Sequence, residues 1–192
     1  MRIDFSATTE ATTVVNVTNH AYFNLAGESS GSILQHELTL PAEQFIPVDP
    51  NMIPTGAVAS VEGTPMDFRV ATLVGARIDL AEEQLQRAGG YDHTWVMGEA
   101  GSMKLAAVVR EPVSGRTLTV ETTEPGVQFY TGNFLNGSLP NREGGRYERR
   151  SGLCLETQHY PDSPNRPDFP STELRGGETM RSTTMFRFGT GV

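Results

Sequence analysis

The sequence has almost no cysteine or lysine. Of its 192 residues only Cys154 is a cysteine, so no disulfide can form within the chain, and the C-x-x-C and H-E-x-x-H spacings of common zinc sites are absent. The one lysine, Lys104, begins an alternating segment, where a solvated amine is a better interpretation than a Schiff-base nucleophile. We therefore expect no disulfide scaffold, no bound metal and no lysine-based covalent chemistry.

Positive charge and long apolar runs are scarce as well. Fifteen Lys and Arg residues face 23 Asp and Glu residues, for a formal net charge of −8, whereas a nucleic-acid or anionic-membrane surface needs a basic patch. No segment approaches the roughly 18 apolar residues of a membrane span, and the first residues do not follow a signal-peptide pattern. The sequence predicts a cytoplasmic protein without nucleic-acid or membrane partners.

Glycine and proline are abundant, with 20 and 12 residues spread along the chain. They separate short β-rich segments, several of which alternate apolar and polar residues as half-buried strands do; these are 12–18, 34–40, 104–110 and 116–122. Residues 111–115 (E-P-V-S-G) join the last two segments and predict a hairpin loop, with proline starting the turn and glycine supplying a positive φ. Only segment 76–87 has a helical pattern, ended by Gly89 and Gly90. We predict an all-β protein, a large antiparallel β-sandwich in which residues 1–192 form a single domain.

Nucleotide-binding motifs are missing. Neither G-x-G-x-x-G nor G-x-x-x-x-G-K-[ST] occurs, so the sequence predicts chemistry without a cofactor. The segment 27–31, G-E-S-S-G, matches the nucleophile pattern G-x-S-x-G, but no apolar strand precedes it and no helix pattern follows it. A polar loop is the better interpretation of that segment.

Three titratable residues have unusual surroundings. His20 ends an apolar segment and precedes aromatic residues, Asp92 begins a β-rich segment, and Glu156 lies within an apolar one. Burial would raise the pKa of such a carboxyl group toward that of a general base. His36, in an alternating segment, is assigned a surface or structural role. Taken singly, His20, Asp92 and Glu156 have structural interpretations of equal weight; together they suggest acid–base chemistry on a small molecule such as a sugar.

Nine motifs follow one another along nearly the whole chain. They are TNHAYFNL (18–25), FIPVD (45–49), IPTG (53–56), GTPMDFR (63–69), GYDH (90–93), PGVQFYTGNFL (125–135), LETQ (155–158), PDSPN (161–165) and LRGGE (174–178). In this order they closely resemble the aldose 1-epimerase (galactose mutarotase) family. So many ordered motifs are far more specific than any one pattern considered above.

The resemblance implies a large antiparallel β-sandwich that interconverts the α and β anomers of free aldoses such as galactose and glucose. His20 matches the family's general acid and Glu156 its general base. Asp92 and Gln128 match sugar-binding positions, and Gln128 is a candidate on the resemblance alone. The family's reaction implies neither a cofactor nor a metal, only a small-molecule aldose as partner.

Members of the family are substantially longer. Their N-terminal half carries an Asn-Arg pair and a second histidine that contact the sugar, and nothing in this sequence matches them. The resemblance thus implies the C-terminal portion of the sandwich without its N-terminal strands, and we expect open edges to favour a homodimer or a complementing N-terminal polypeptide.

Two other functions remain open. One is a non-catalytic, carbohydrate-binding β-sandwich fragment with an incomplete active site. The other is glycoside hydrolysis with Asp92 and Glu156 as paired carboxylates.

Overall fold

Antiparallel strands dominate the fold. The computed structural model describes residues 1–191, in which the strands are β1 (Arg2–Thr8), β2 (Thr13–Val14), β3 (Glu37–Thr39), β4 (Gln44–Ile46), β5 (Ala59–Ser60), β6 (Thr72–Leu73), β7 (Asp92–Val96), β8 (Lys104–Arg110), β9 (Arg116–Thr122), β10 (Gly126–Tyr130), β11 (Cys154–Gln158), β12 (Glu173–Leu174) and β13 (Thr179–Thr190). Short 3-10 helices cover Ile33–Gln35, Val74–Ala76 and Ser163–Asn165, and helix α1 covers Glu83–Ala88. The all-β prediction is confirmed.

Two larger sheets share one core. The six-stranded sheet has the order β1-β13-β9-β8-β3-β6, the five-stranded sheet has the order β11-β10-β7-β4-β5, and β12 pairs with β2. Leu118 and Phe186 of the first sheet lie in the same buried cluster as Trp95 and Phe129 of the second. Two sheets that bury apolar side chains against one another form a sandwich.

The β8–β9 hairpin follows the sequence prediction at both ends. The Glu111 carboxylate accepts hydrogen bonds from the backbone N–H groups of Val113 at 3.0 Å and Ser114 at 2.6 Å. Gly115 supplies a φ of +70°, which glycine adopts at little cost. Hydrogen bonds from Ser114 and Val113 lower the pKa of Glu111 to about 2, so its charge is available to hold the turn.

The helix predicted over 76–87 is wrong in its first half. Helix α1 begins only at Glu83 because Glu82 has extended backbone, and its carboxylate accepts N–H bonds from Gln84 and Leu85 at 2.9 and 3.1 Å. A carboxylate that accepts the first free N–H groups is an N-cap. Gly89, with a φ of 66°, ends the helix, as the sequence predicted.

Two predicted strands are shorter than expected. Segment 12–18 forms only Thr13–Val14, which pairs with β12, and segment 34–40 forms a 3-10 helix followed by Glu37–Thr39. A strand persists only where a neighbour accepts its backbone hydrogen bonds. Val15 still donates its N–H to the Thr172 carbonyl at 2.9 Å, and the residues after it leave this pairing and reach the site described below.

The five-stranded sheet has one face in the core. Trp95 and Phe129 are fully buried there, packed with Phe68 and Tyr91, and the Trp95 indole donates a hydrogen bond to the Met66 carbonyl at 3.0 Å. Because strand side chains alternate between faces, the residues beside Trp95 and Phe129 project from the opposite face.

Helical structure is sparse. Helix α1 has six residues, and within residues 1–191 no helix has the length and apolar character needed to cross a lipid bilayer.

Candidate active site

Three adjacent strands form the floor of the candidate site. In the antiparallel register Gln128 of β10 lies opposite Glu156 of β11 on one side and Thr94 of β7 on the other. Tyr130 lies opposite Cys154 and Asp92 in the same two strands. Residues two apart on a strand share a face, so one polar face collects all of these side chains.

His20 reaches this face on the segment 16–23, which we call the strap. One end of the strap is anchored by Asn16, whose side-chain amide donates to the His159 carbonyl at 2.9 Å and accepts from the His159 N–H at 3.0 Å. The other end is anchored by Phe23 and Leu153, which exchange two backbone hydrogen bonds of 2.8 and 2.9 Å. The strap therefore runs antiparallel to β11 and brings His20 level with Glu156.

The result is a close acid–base pair. The His20 Nε2 atom lies 3.4 Å from the Glu156 Oε1 atom. The side chain of His20 is 51% exposed and that of Glu156 only 11% exposed, so one partner meets the solvent and the other lies at the base of the cleft.

Burial determines the acidity of Glu156. Loss of hydration raises the pKa of Glu156 to about 7, with nearby His20 opposing the shift and the like charge of Asp92 adding to it. A carboxyl group with a pKa near the working pH is an effective proton acceptor that returns its proton readily.

Asp92 and Gln128 form a hydrogen-bonded pair beside it. The Gln128 amide donates to the Asp92 carboxylate at 2.7 Å, and the Thr94 hydroxyl donates to the amide oxygen of Gln128. Thr94 thus orients the amide so that its NH₂ group faces Asp92. Burial raises the pKa of Asp92, and the bond from Gln128 opposes that shift.

The cleft above this face has a volume of about 310 Å³, within the size range of small-molecule sites. Aromatic rings form its walls: Tyr22 lies 5.3 Å from the His20 ring and 6.1 Å from the Tyr130 ring, centroid to centroid, and Phe134 lines the cleft as well. Such rings offer apolar faces to the C–H groups of a sugar, while the carboxylates and the amide offer partners for its hydroxyls.

A family model described as aldose 1-epimerase matches residues 1–187 of the chain. The chain belongs to the aldose 1-epimerase family. It is 48% identical to the galactose mutarotase of Mus musculus over 97% of its own length and 53% of that protein. It is 40% identical to the aldose 1-epimerase of Escherichia coli K12 over 97% of its own length and 54% of that protein.

Solved structures of aldose epimerases have the same fold. The chain matches the aldose epimerase homologue of C. elegans with a TM-score of 0.84 at 27% identity, covering 100% of this chain and 56% of that one. It matches the galactose 1-epimerase of Lactobacillus acidophilus with a TM-score of 0.83 at 25% identity, covering 100% and 53%. This aldose 1-epimerase family chain thus spans about half the length of the relatives it matches.

The four site residues predicted from this family's motifs meet in one cleft: His20, Asp92, Gln128 and Glu156. His93 and His36 do not join them. His93 faces the core, where burial lowers its pKa to about 4, and His36 is buried and accepts the Leu25 N–H at 2.9 Å. Of the surface or structural role predicted for His36, the structural alternative is confirmed and the surface one is wrong, because the residue is buried.

Sequence reasoning did not select several residues in or beside this cleft. Tyr22, Tyr130 and Gln158 line it, and Thr94 and Cys154 lie beside Gln128 and Glu156. The alternation of strand faces would have found most of them. Once Glu156 is placed on the polar face, its neighbours two residues away follow, and the same holds for the residues two away from Asp92 and Gln128. Tyr22 lies on the strap, and only its long-range anchors bring it to the cleft.

Proposed function

We propose that this chain carries the catalytic acid and base of an aldose 1-epimerase acting on free hexoses such as galactose and glucose. The observation that carries the proposal is the 3.4 Å separation of His20 Nε2 and Glu156 Oε1 inside the cleft. The ring oxygen and the anomeric hydroxyl of an aldose are bonded to the same carbon, C1. An acid and a base this close together reach both oxygens of one bound sugar.

Two balanced proton transfers open and close the ring. The carboxylate of Glu156 takes the proton of the anomeric hydroxyl while protonated His20 gives a proton to the ring oxygen O5. The C1–O5 bond breaks, and C1 becomes an aldehyde. Rotation about C1–C2 presents the other face of the aldehyde, and reclosure returns both protons to their donors with the opposite anomer formed. The side chains of Glu156 and His20 carry both protons in this scheme, one taken from the sugar and one given to it.

Asp92 and Gln128 are proposed to hold hydroxyl groups remote from C1. Both anomers must bind, so contacts far from the reacting carbon orient the sugar and leave C1 free to turn. The rings of Tyr22 and Tyr130 pack on the C–H face. An aldose is then the only partner that the chemistry requires. The free, buried thiol of Cys154 is compatible with a reducing compartment such as the cytoplasm.

A second candidate is a non-catalytic, sugar-binding fragment. It is favoured by length, because the chain aligns with only 53% of the mouse galactose mutarotase. In that case a second copy, or a polypeptide equivalent to the rest of the relatives' length, supplies further sugar contacts. The glycoside hydrolase alternative predicts cleavage of a nitrophenyl galactoside.

Polarimetry with freshly dissolved α-D-galactose tests the proposal. The wild-type chain should accelerate mutarotation above the buffer rate, and Glu156→Gln should lower kcat by about 10²–10⁴-fold, the usual contribution of a general base. Glu121→Gln is a matched control, since Glu121 lies on β9 in the other sheet and pairs with Arg187. It should keep the wild-type rate.

Two results would contradict the proposal. Mutarotation at the buffer rate, together with galactose binding in calorimetry, would favour the non-catalytic fragment. Release of nitrophenol from the glycoside would favour hydrolysis.

A further inference from the structure

A buried thiol that the proposed reaction does not use lies beside the proposed acid–base pair. Donor atoms of His20, Cys154 and Glu156 all lie within 4.8 Å of one another. We propose that these three side chains form a binding site for a thiophilic divalent cation of the Zn²⁺ class, and that the bound cation blocks the acid–base pair.

The local geometry favours coordination. Cys154 and Glu156 are two residues apart on β11, so their side chains project from the same face. Both are buried, with exposed fractions of 0% and 8% when backbone and side chain are counted together. The strand therefore holds two ligands side by side, and the third comes from the strap.

The distances are close to those of a zinc site. Zinc–ligand bonds of about 2.0–2.3 Å in a tetrahedron place neighbouring donor atoms roughly 3.5 Å apart. His20 Nε2 and Glu156 Oε1 are already 3.4 Å apart. The His20 side chain is 51% exposed, so its ring is free to make the small adjustment that brings all three donors onto one ion.

The charges also match. On binding, the Cys154 thiol releases its proton to the buffer and forms a metal–thiolate bond, so thiolate and carboxylate together neutralise a divalent cation. Burial, with the nearby charges of Glu156 and Asp92, raises the pKa of the Cys154 thiol, so the cation must displace the thiol proton, while the same two carboxylates attract it. Three protein ligands leave a fourth tetrahedral position for water.

Occupancy of this site has a direct consequence for catalysis. The cation would take the His20 nitrogen and the Glu156 oxygen that the proposed reaction uses for proton transfer. The inhibitory effect therefore rests on the proposed function, whereas metal binding itself does not.

Cobalt(II) is the probe for binding. Thiolate-to-cobalt charge transfer absorbs in the near ultraviolet, and the chain has one cysteine, so such a band reports Cys154 alone. Titrating the full chain with Co²⁺ should give a saturable band corresponding to one ion per chain, and Zn²⁺ should displace it. Cys154→Ser should abolish the band, and His20→Asn should weaken Co²⁺ binding by about tenfold or more.

His159→Asn is the matched control. His159 pairs with Glu124 at 2.7 Å and has no cysteine partner, so this variant should keep the wild-type cobalt affinity. Absence of the cobalt band in the wild-type chain would overturn the proposal. Equal affinity in His20→Asn, with circular dichroism showing a folded variant, would also overturn it, because the thiol would then bind without the cluster.

A second measurement separates this proposal from the proposed function. In polarimetry Zn²⁺ should suppress mutarotation by the wild-type chain, and the rate of Cys154→Ser should not respond to the same Zn²⁺ concentration. A wild-type rate that ignores Zn²⁺ while the cobalt band is present would overturn the inhibitory role. A chain without mutarotase activity that still shows the band would contradict the proposed function and support the metal site.

Discussion

Glu156 shows how the surroundings of one side chain determine its chemistry. In water a glutamate is fully ionised at neutral pH and is a weak base. On β11 it is buried close to Asp92, and its pKa rises to about 7. A carboxyl group with that pKa suits the proposed reaction, in which Glu156 accepts and returns a proton within one cycle.

The pH dependence of the reaction follows from that shift. Only the ionised carboxylate takes a proton, so we expect the acid side of the kcat/KM profile to have a midpoint near 7, with kcat/KM falling about tenfold per pH unit well below it. Asp92→Asn removes a like charge and should move the midpoint to lower pH. Polarimetric rates corrected for buffer, from about pH 5 to about pH 9, measure both effects.

The control for this profile is Glu121→Gln, which should not move the midpoint. A rate that stays constant through neutral pH would contradict the role of Glu156 as the base.

Stability provides a readout that does not need activity. A carboxyl group whose pKa is raised from 4.5 to about 7 in the folded chain contributes stability that is fully present below 4.5 and is lost as the pH rises through 7. Urea unfolding of Glu156→Gln should lack that loss.

The strap is the element on which the site depends most. It forms no ladder with β11 between its two anchors, so His20 is positioned by contacts at the ends of the segment. Asn16 provides one anchor through two hydrogen bonds to the backbone of His159, each worth about 1 kcal/mol.

Asn16→Ala should therefore impair catalysis more than folding. Loss of that anchor lets the His20 ring shift, and a displacement of about 1 Å lowers kcat by roughly a hundredfold. We expect a loss of that order in kcat with a smaller change in KM, measured by polarimetry over a range of galactose concentrations. Asn141→Ala is the control, because Asn141 makes similar bonds to Glu143 and Gly145 in an exposed loop.

An equal loss of activity in Asn141→Ala, or none in Asn16→Ala, would contradict the positioning role of the strap. Circular dichroism and thermal unfolding of both variants should show a folded protein.

Elements held by local contacts were the easiest to predict. The β8–β9 hairpin matches its prediction at both ends because Glu111 and Gly115 define the turn within a few residues. The helix was predicted too long because the N-cap at Glu82 interrupts a pattern that composition alone would continue. Segment 12–18 was predicted as a strand, but its neighbour β12 pairs with only two of its residues.

At the scale of the whole molecule, the outer edge of β1 favours association between two copies of the chain. Strand β1 pairs with β13 on one side and, among residues 1–191, with no strand on the other. Its seven residues alternate between exposed and half-buried side chains. A long strand with unpaired backbone groups is a template for a second copy.

We therefore expect the chain to self-associate through β1. Sedimentation at increasing protein concentration should show a rising mass, and Ser6→Lys should weaken that association, because a charged side chain on an edge strand opposes edge-to-edge pairing. Ser6 is exposed, so the change leaves the core intact. Thr119→Lys, on the inner strand β9, is the control and should leave the association unchanged. Equal sedimentation masses for the wild type and Ser6→Lys would contradict association through β1.

The amino-acid order alone was enough for the all-β class and the hairpin, and it singled out Asp92 and Glu156 on β-rich segments. These properties depend on local periodicity and turn chemistry, which can be recognised directly in the order of the residues. The sequence also predicted the direction of the pKa shift of Glu156. It did not predict the 3.4 Å approach of His20 to Glu156 or the convergence of Cys154 with both. They arise from burial and from strap anchors between residues far apart in the chain, and such contacts exist only once the sheets have packed.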